Sequence, residues 1–171
     1  MKRTLLLITG LVFSLGLVIA QKYAFVDTDY ILNNIPNYKA AQEQLDKTSE
    51  EWQKEVEAKY AEIEKMYKDY QAERVLLAED IRRQREEAIV NREKEVKELQ
   101  KNYFGQEGAL FKKRQELIQP IQDDIYKAIK DIATENGYAA IFDTSSGASL
   151  IYTNPRYDIS DEVLQKLGYK N

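Results

Sequence analysis

The chain has 171 residues, with 25 Lys and Arg against 29 Asp and Glu for a formal charge of −4, and 32% of its residues are charged. Cysteine and histidine are both absent, which removes disulfides, thiol chemistry, imidazole bases and most zinc sites together. The acidic balance argues against a nucleic-acid binder, and the sequence holds no glycine-rich phosphate loop, so no cofactor is expected.

Lys2 and Arg3 precede an apolar run from Leu5 to Ile19 that ends in Val18-Ile19-Ala20, the layout of a secretory signal peptide cut after Ala20. The run of about 15 residues is short for a bilayer core, which needs roughly 20, and the cysteine a lipoprotein would need at the cut is missing. Residues 21–171 then hold 23 basic and 29 acidic side chains, or −6. That length suits one domain stabilised by packing or oligomerisation.

Tyr23-Ala24-Phe25-Val26 reads as a short strand, followed by a turn of helix from Tyr30 to Asn34. From Asn37 to about Thr134 the chain is rich in Glu, Lys, Gln, Ala and Arg with one proline, a composition of strong helix formers. A 4,3 spacing runs Val56, Tyr60, Ile63, Tyr67, Tyr70, Arg74, Leu77, Ile81, a narrow coiled-coil seam loaded with tyrosine. A second seam runs Ala88, Arg92, Val96, Leu99, Tyr103, and continues through Leu117, Ile121, Ile125, Ala128 and Ile132. Two seams predict a helical hairpin whose tip lies near residues 76–80, where Glu79-Asp80 opens the returning helix. Its first helix would span roughly 58 Å, so the arm is expected to project from the rest of the domain. Gly105, Gly108 and Pro120 are candidate hinges.

Gly137 stops the helical run. Tyr138–Asp143 and Ser149–Thr153 read as two more strands, joined by the small-residue loop Thr144–Ala148 as a hairpin. A terminal helix follows Pro155, with Ser160 as its N-cap and Gly168 as its terminator. The expected fold is therefore α+β: a signal peptide at 1–20, a small β body from 21–36 and 135–171, and a helical hairpin arm from 37–134. Three short strands leave edges open, and closing the sheet between subunits would cover them. Phe25, Val26, Ile141, Phe142, Leu150, Ile151 and Tyr152 would lie at that junction.

Paired acids such as Asp123-Asp124 sit on a charged helical face and read as surface, and Ser145 lacks any histidine partner, so an enzyme is not expected. What remains is surface. Five of the eight arginines, Arg74, Arg82, Arg83, Arg85 and Arg92, gather around the expected tip beside Leu76, Leu77 and Ile81. Residues 71–94 balance at six basic and six acidic, whereas residues 40–70 hold five basic and nine acidic. Tyr60, Tyr67, Tyr70 and Tyr103 are either seam or exposed aromatic surface.

The opening Tyr23-Ala24-Phe25-Val26-Asp27-Thr28-Asp29-Tyr30-Ile31-Leu32, the segment Gly137–Asp143 with Leu150-Ile151-Tyr152, and the closing Asp158–Leu164 resemble the Skp/OmpH family, and the likeness covers the mature chain from end to end. The resemblance implies a homotrimer with a shared β body and an ATP-independent periplasmic holdase that keeps unfolded outer-membrane proteins from aggregating between helical arms. It makes Tyr60, Tyr67, Tyr70, Arg74, Leu76, Leu77, Ile81, Arg82, Arg83 and Arg85 the candidate client-binding residues. Anionic lipid or lipopolysaccharide is a further candidate partner, although the family's best-known members are strongly basic and this chain is not. The rival reading is an envelope scaffold whose coiled coil binds one defined partner.

Overall fold

The computed structural model describes residues 21–147 and 150–169; the expected signal peptide lies outside them. The elements run β1 (Lys22–Val26), α1 (Thr28–Asn33), α2 (Pro36–Glu73), α3 (Glu79–Phe104), α4 (Ala109–Asn136), β2 (Tyr138–Asp143), one 3-10 turn (Pro155–Tyr157) and α5 (Ser160–Lys166). The chain divides into two compact units, one comprising Leu32–Tyr126 and the other the segments on either side of it.

The helical unit begins at the end of α1, and a local rule separates α1 from α2. Pro36 forbids helical backbone at the residue before it, and Ile35 accordingly takes φ −95° and ψ 114° while Pro36 opens α2 at its first turn. Helices α2 and α3 then pair through the turn Arg74–Ala78. Their shared core is narrow: Val56, Ile63 and Tyr70 from α2 and Ile89 and Val96 from α3 are buried, with Met66, Leu77, Leu99 and Tyr103 half-buried against them. The spacing of the buried side chains is seven residues on both helices, the interval that keeps one stripe facing a supercoiled partner.

This corrects the expected seams. Tyr60 and Tyr67 are 39% and 52% exposed, and Arg74 and Ile81 are exposed as well. Lys59 and Met66 take the half-buried places instead. On α3 the exposed Ala88 gives way to the buried Ile89. A second cluster joins Ala41 and Leu45 of α2 to Ile118 of α4, with Tyr38, Leu110, Leu117 and Ile121 around it.

Between α3 and α4 the helix stops at Gly105–Gly108. A Cβ at Gly108 would lie 2.8 Å from the Tyr103 carbonyl oxygen and 2.9 Å from that of Asn102, and one at Gly105 would collide with the Lys101 carbonyl. Close backbone approach, not a left-handed conformation, demands glycine at both places. Helix α4 continues through Pro120, leaving the exposed Glu116 without that N–H as a carbonyl partner.

In the other unit, β1 and β2 form a two-stranded parallel sheet, with Ala24 opposite Ile141 and Phe25 opposite Phe142. Residues 150–153 form no strand, so the expected antiparallel hairpin is replaced by a pairing between distant segments. A parallel neighbour needs a long crossover, and the stretch from α1 to α4 supplies it. On its other side β1 meets Asp158, where the Ile159 N–H donates to the Phe25 carbonyl at 2.9 Å. Alternation along β1 buries Ala24 and Val26 and turns Tyr23 and Phe25 to the opposite face. There Phe142 touches both rings, at 6.2 Å and 5.9 Å between centroids. The N-cap of α5 also differs: Ser160 is its first residue, and its N–H donates to Asp158 Oδ1 at 2.8 Å.

Candidate functional site

The helical hairpin has two unlike flanks. On one, Glu62 and Glu73 of α2 stand three turns apart and meet Arg92 and Arg85 of α3 at 2.7 Å and 3.8 Å. The Arg92 guanidinium, and after it the Lys59 ammonium, hold the exposed Glu62 carboxyl below its usual range. Both ion pairs that the described residues make between α2 and α3 lie on this flank.

On the other flank stand Tyr60, Tyr67 and Phe104. The Tyr60 hydroxyl donates to Gln100 Oε1 at a long 3.3 Å, and a groove of about 340 Å³ opens between Gln53, Val56, Glu57, Tyr60, Gln100 and Phe104. Beside it, Trp52 stacks on Tyr103 at 4.6 Å and meets Phe104 edge-on at 6.5 Å. The Tyr103 hydroxyl donates to Glu55 Oε2 at 2.8 Å, and this bond raises the phenol's pKa. The part of Trp52 and Phe104 in this cluster was missed in the sequence. The available signal was the chain's one tryptophan four residues before Val56, and the Tyr103-Phe104 pair just before Gly105.

At the hairpin end Val75 and Leu76 are 92% and 88% exposed, whereas Leu77 packs against the hairpin core. Arg82 pairs with Glu79, Arg83 with Asp80 and Arg85 with Glu73. Arg74 is exposed and ends α2. Tyr70 is buried, and its hydroxyl donates to Glu86, which raises its pKa. The candidate residues therefore fall into three groups: the exposed aliphatic end with its compensated arginines, the open aromatic flank at Tyr60 and Tyr67, and the buried Tyr70. Gly105 and Gly108 lie together at the break, and Pro120 lies within α4.

In the strand-containing unit, Phe25 and Phe142 share the aromatic sheet face, while Val26 is buried and Ile141 half-buried. Leu150, Ile151 and Tyr152 are exposed. The face borders a cleft of about 640 Å³ lined by Tyr23, Phe25, Tyr138, Tyr157, Lys22, Gln21 and Arg156. The sheet is tied to α1 through Asp143, whose carboxylate accepts from the Thr28 N–H at 3.2 Å and hydroxyl at 2.8 Å, and from the Ser145 N–H at 3.1 Å and hydroxyl at 2.9 Å. Burial alone would raise this carboxyl's pKa, but those bonds together leave it lowered.

A protein of Caulobacter crescentus CB15 described as an outer membrane chaperone (OmpH-like) has a crystal structure that superposes with a TM-score of 0.69 at 13% identity, covering 86% of this chain and 83% of that one. An uncharacterized protein of Aquifex aeolicus (strain VF5) is 28% identical over 161 residues, 94% of this chain and 91% of its own length. Residues 22–167 match the family model for the outer membrane protein (OmpH-like) family. The long helices, the small two-stranded sheet and that match agree: the chain belongs to the OmpH-like family.

Proposed function

We infer that this protein is an ATP-independent holdase of the periplasm, which keeps unfolded outer-membrane proteins from aggregating. The observation that carries the reading is the hairpin's thin core. One fully buried side chain per heptad on each helix, flanked by half-buried Met66, Leu77, Leu99 and Tyr103, holds α2 to α3, while aromatic and aliphatic groups that a closed bundle would cover stay in water at Tyr60, Tyr67, Val75, Leu76 and Phe104. Such a surface offers many weak desolvating contacts, which can hold an unfolded chain and release it without an energy source. Membership in the OmpH-like family supports the same reading.

The working form on this reading is a homotrimer. The aromatic sheet face at Tyr23, Phe25 and Phe142 and the exposed run Leu150-Ile151-Tyr152 are the surfaces that further copies would cover. The arms would bend at Gly105–Gly108 to fit clients of different size. Anionic lipid is a secondary partner on this reading, met by Val75 and Leu76 at the hairpin end.

The deciding experiment dilutes an unfolded β-barrel protein from urea into buffer with or without the mature chain, and follows turbidity while light scattering reports the chaperone's mass. Suppression of turbidity by a species of three chains is expected. A trimer without effect on several unrelated barrels would refute holding and favour an envelope scaffold with one partner.

A further inference from the structure

We propose that an extended client segment docks on the Tyr60–Tyr67–Phe104 flank of the hairpin, not on its arginine-rich end, and that this flank selects segments carrying Lys or Arg beside aromatic or branched aliphatic residues. The inference rests on the holdase reading and adds where the chain is held and what it prefers.

The two flanks differ in what a client would have to displace. Opposite, Glu62–Arg92 and Glu73–Arg85 bridge the helices, and Arg92 is also paired with Glu95 at 2.8 Å. On the aromatic flank no ion pair bridges the described residues of the two helices: at the groove the link is the long Tyr60–Gln100 contact, and the hydrogen bonds of Tyr103 to Glu55 and of Tyr70 to Glu86 lie outside its lining. Docking there breaks little, whereas docking across the ion pairs would desolvate charges whose partners it could not replace.

The groove's chemistry names its occupant. Val56 forms the floor, Tyr60 and Phe104 the walls, and the carboxamides of Gln53 and Gln100 the rim. Gln53 donates to Glu57 Oε1 at 3.1 Å. A volume of about 340 Å³ is at the small end of ligand pockets and suits one or two side chains rather than a folded surface. Rim carboxamides can both donate to and accept from the peptide groups that an unfolded segment leaves unpaired. Tyr60 and Tyr67 stand two turns of helix apart, about 10 Å, the reach of roughly three extended residues. The one charged residue lining the groove is Glu57, and no cation lines it. A basic side chain next to the buried ring or aliphatic group therefore gains a carboxylate and the faces of two aromatic rings, whereas an acidic one meets only repulsion.

The lone tryptophan provides the readout, because Trp52 touches Phe104. Mature protein is titrated with two tryptophan-free peptides in which Val and Phe alternate with Ser and Lys, or with Ser and Glu. Saturable change in Trp52 emission is expected, with the Lys peptide bound at least about threefold more tightly at low salt. The double variant Tyr60→Gln/Tyr67→Gln should lose most of that binding with its helical circular dichroism intact, and Glu62→Gln on the opposite flank should keep it. Equal affinity for the two peptides, or unchanged binding by the double variant, overturns the proposal. A parallel turbidity assay separates the two readings: if the double variant protects an unfolded barrel as well as wild type, this flank falls and holding stands; if wild type itself fails to protect, both fall.

Discussion

The register of the hairpin can be tested by two truncations on one helix, four residues apart. Ile63 is 7% exposed in the line Val56–Ile63–Tyr70, whereas Tyr67 stands beside that line and is 52% exposed. Truncating a buried isoleucine to alanine removes three carbon atoms from the core and leaves a cavity, at a cost of about 2–5 kcal/mol. A thin core with solvent on both flanks can partly collapse, so Ile63→Ala should sit in the lower half of that range. Tyr67→Ala deletes a larger side chain, and a buried ring would cost about 3–5 kcal/mol on the same basis. Half in water and outside the packed line, it should cost no more than about 1 kcal/mol. Urea unfolding followed at 222 nm, at one fixed protein concentration, reads both. If Tyr67→Ala matched or exceeded Ile63→Ala, the seven-residue line would be wrong and the tyrosines would belong to the core.

Gly108→Val should destabilise the chain by about 1–3 kcal/mol, because its Cβ would meet the backbone carbonyls of Tyr103 and Asn102 and backbone cannot step aside cheaply; the urea midpoint reads it. Asp143, whose carboxyl is held below its ordinary value of 3.8, contributes stability that is complete above that value and lost as pH falls through the lowered one. Asp143→Asn should therefore be less stable than wild type at pH 7, with the gap narrowing as pH falls below 3.8 in paired unfolding curves. Ile151→Asp places a charge on a fully exposed side chain, so a single copy should tolerate it within about 0.5 kcal/mol, and a shift of the proposed trimer to smaller species in light scattering is expected if that residue lies in the proposed interface. Val75→Ser with Leu76→Ser should leave circular dichroism and mass unchanged, since both side chains are almost fully in water.

The helix order was legible because long runs of strong helix formers end at identifiable breakers: Pro36, the Gly105–Gly108 pair and Gly137 with φ +68°. The register was not, since a 4,3 template through Val56, Ile63 and Tyr70 can be completed by Tyr60 and Tyr67 or by Lys59 and Met66. Ring hydrophobicity favoured the first choice, but long flexible stems can lie along the seam with their polar ends in water, and the structure takes the second. Strand pairing was hidden for another reason. Residues 149–153 have strand-forming composition, but strand propensity describes fit to a neighbouring surface, and in the described residues that neighbour is absent from 150–153. The Thr28–Asp143–Ser145 network joins positions too distant in sequence for any local pattern to betray it.

The arginines show how composition and arrangement diverge. Counted along the chain they mark a cationic hairpin end, yet Arg82, Arg83, Arg85 and Arg92 each face a carboxylate. Paired charges project little field beyond the screening length of about 8 Å at physiological salt. Capture on the proposed reading then falls to apolar contact, and one groove cannot supply enough of it. A micromolar complex needs about 8 kcal/mol of net binding free energy, while burying one side chain yields about 1.5–3 kcal/mol before the client's ordering entropy is subtracted. Several grooves must act on the same client. Copies joined through the sheet face would place their hairpins at high local concentration, turning individually weak contacts into a durable hold. The same weakness lets each segment leave separately, so that a folding client can withdraw stepwise without ATP.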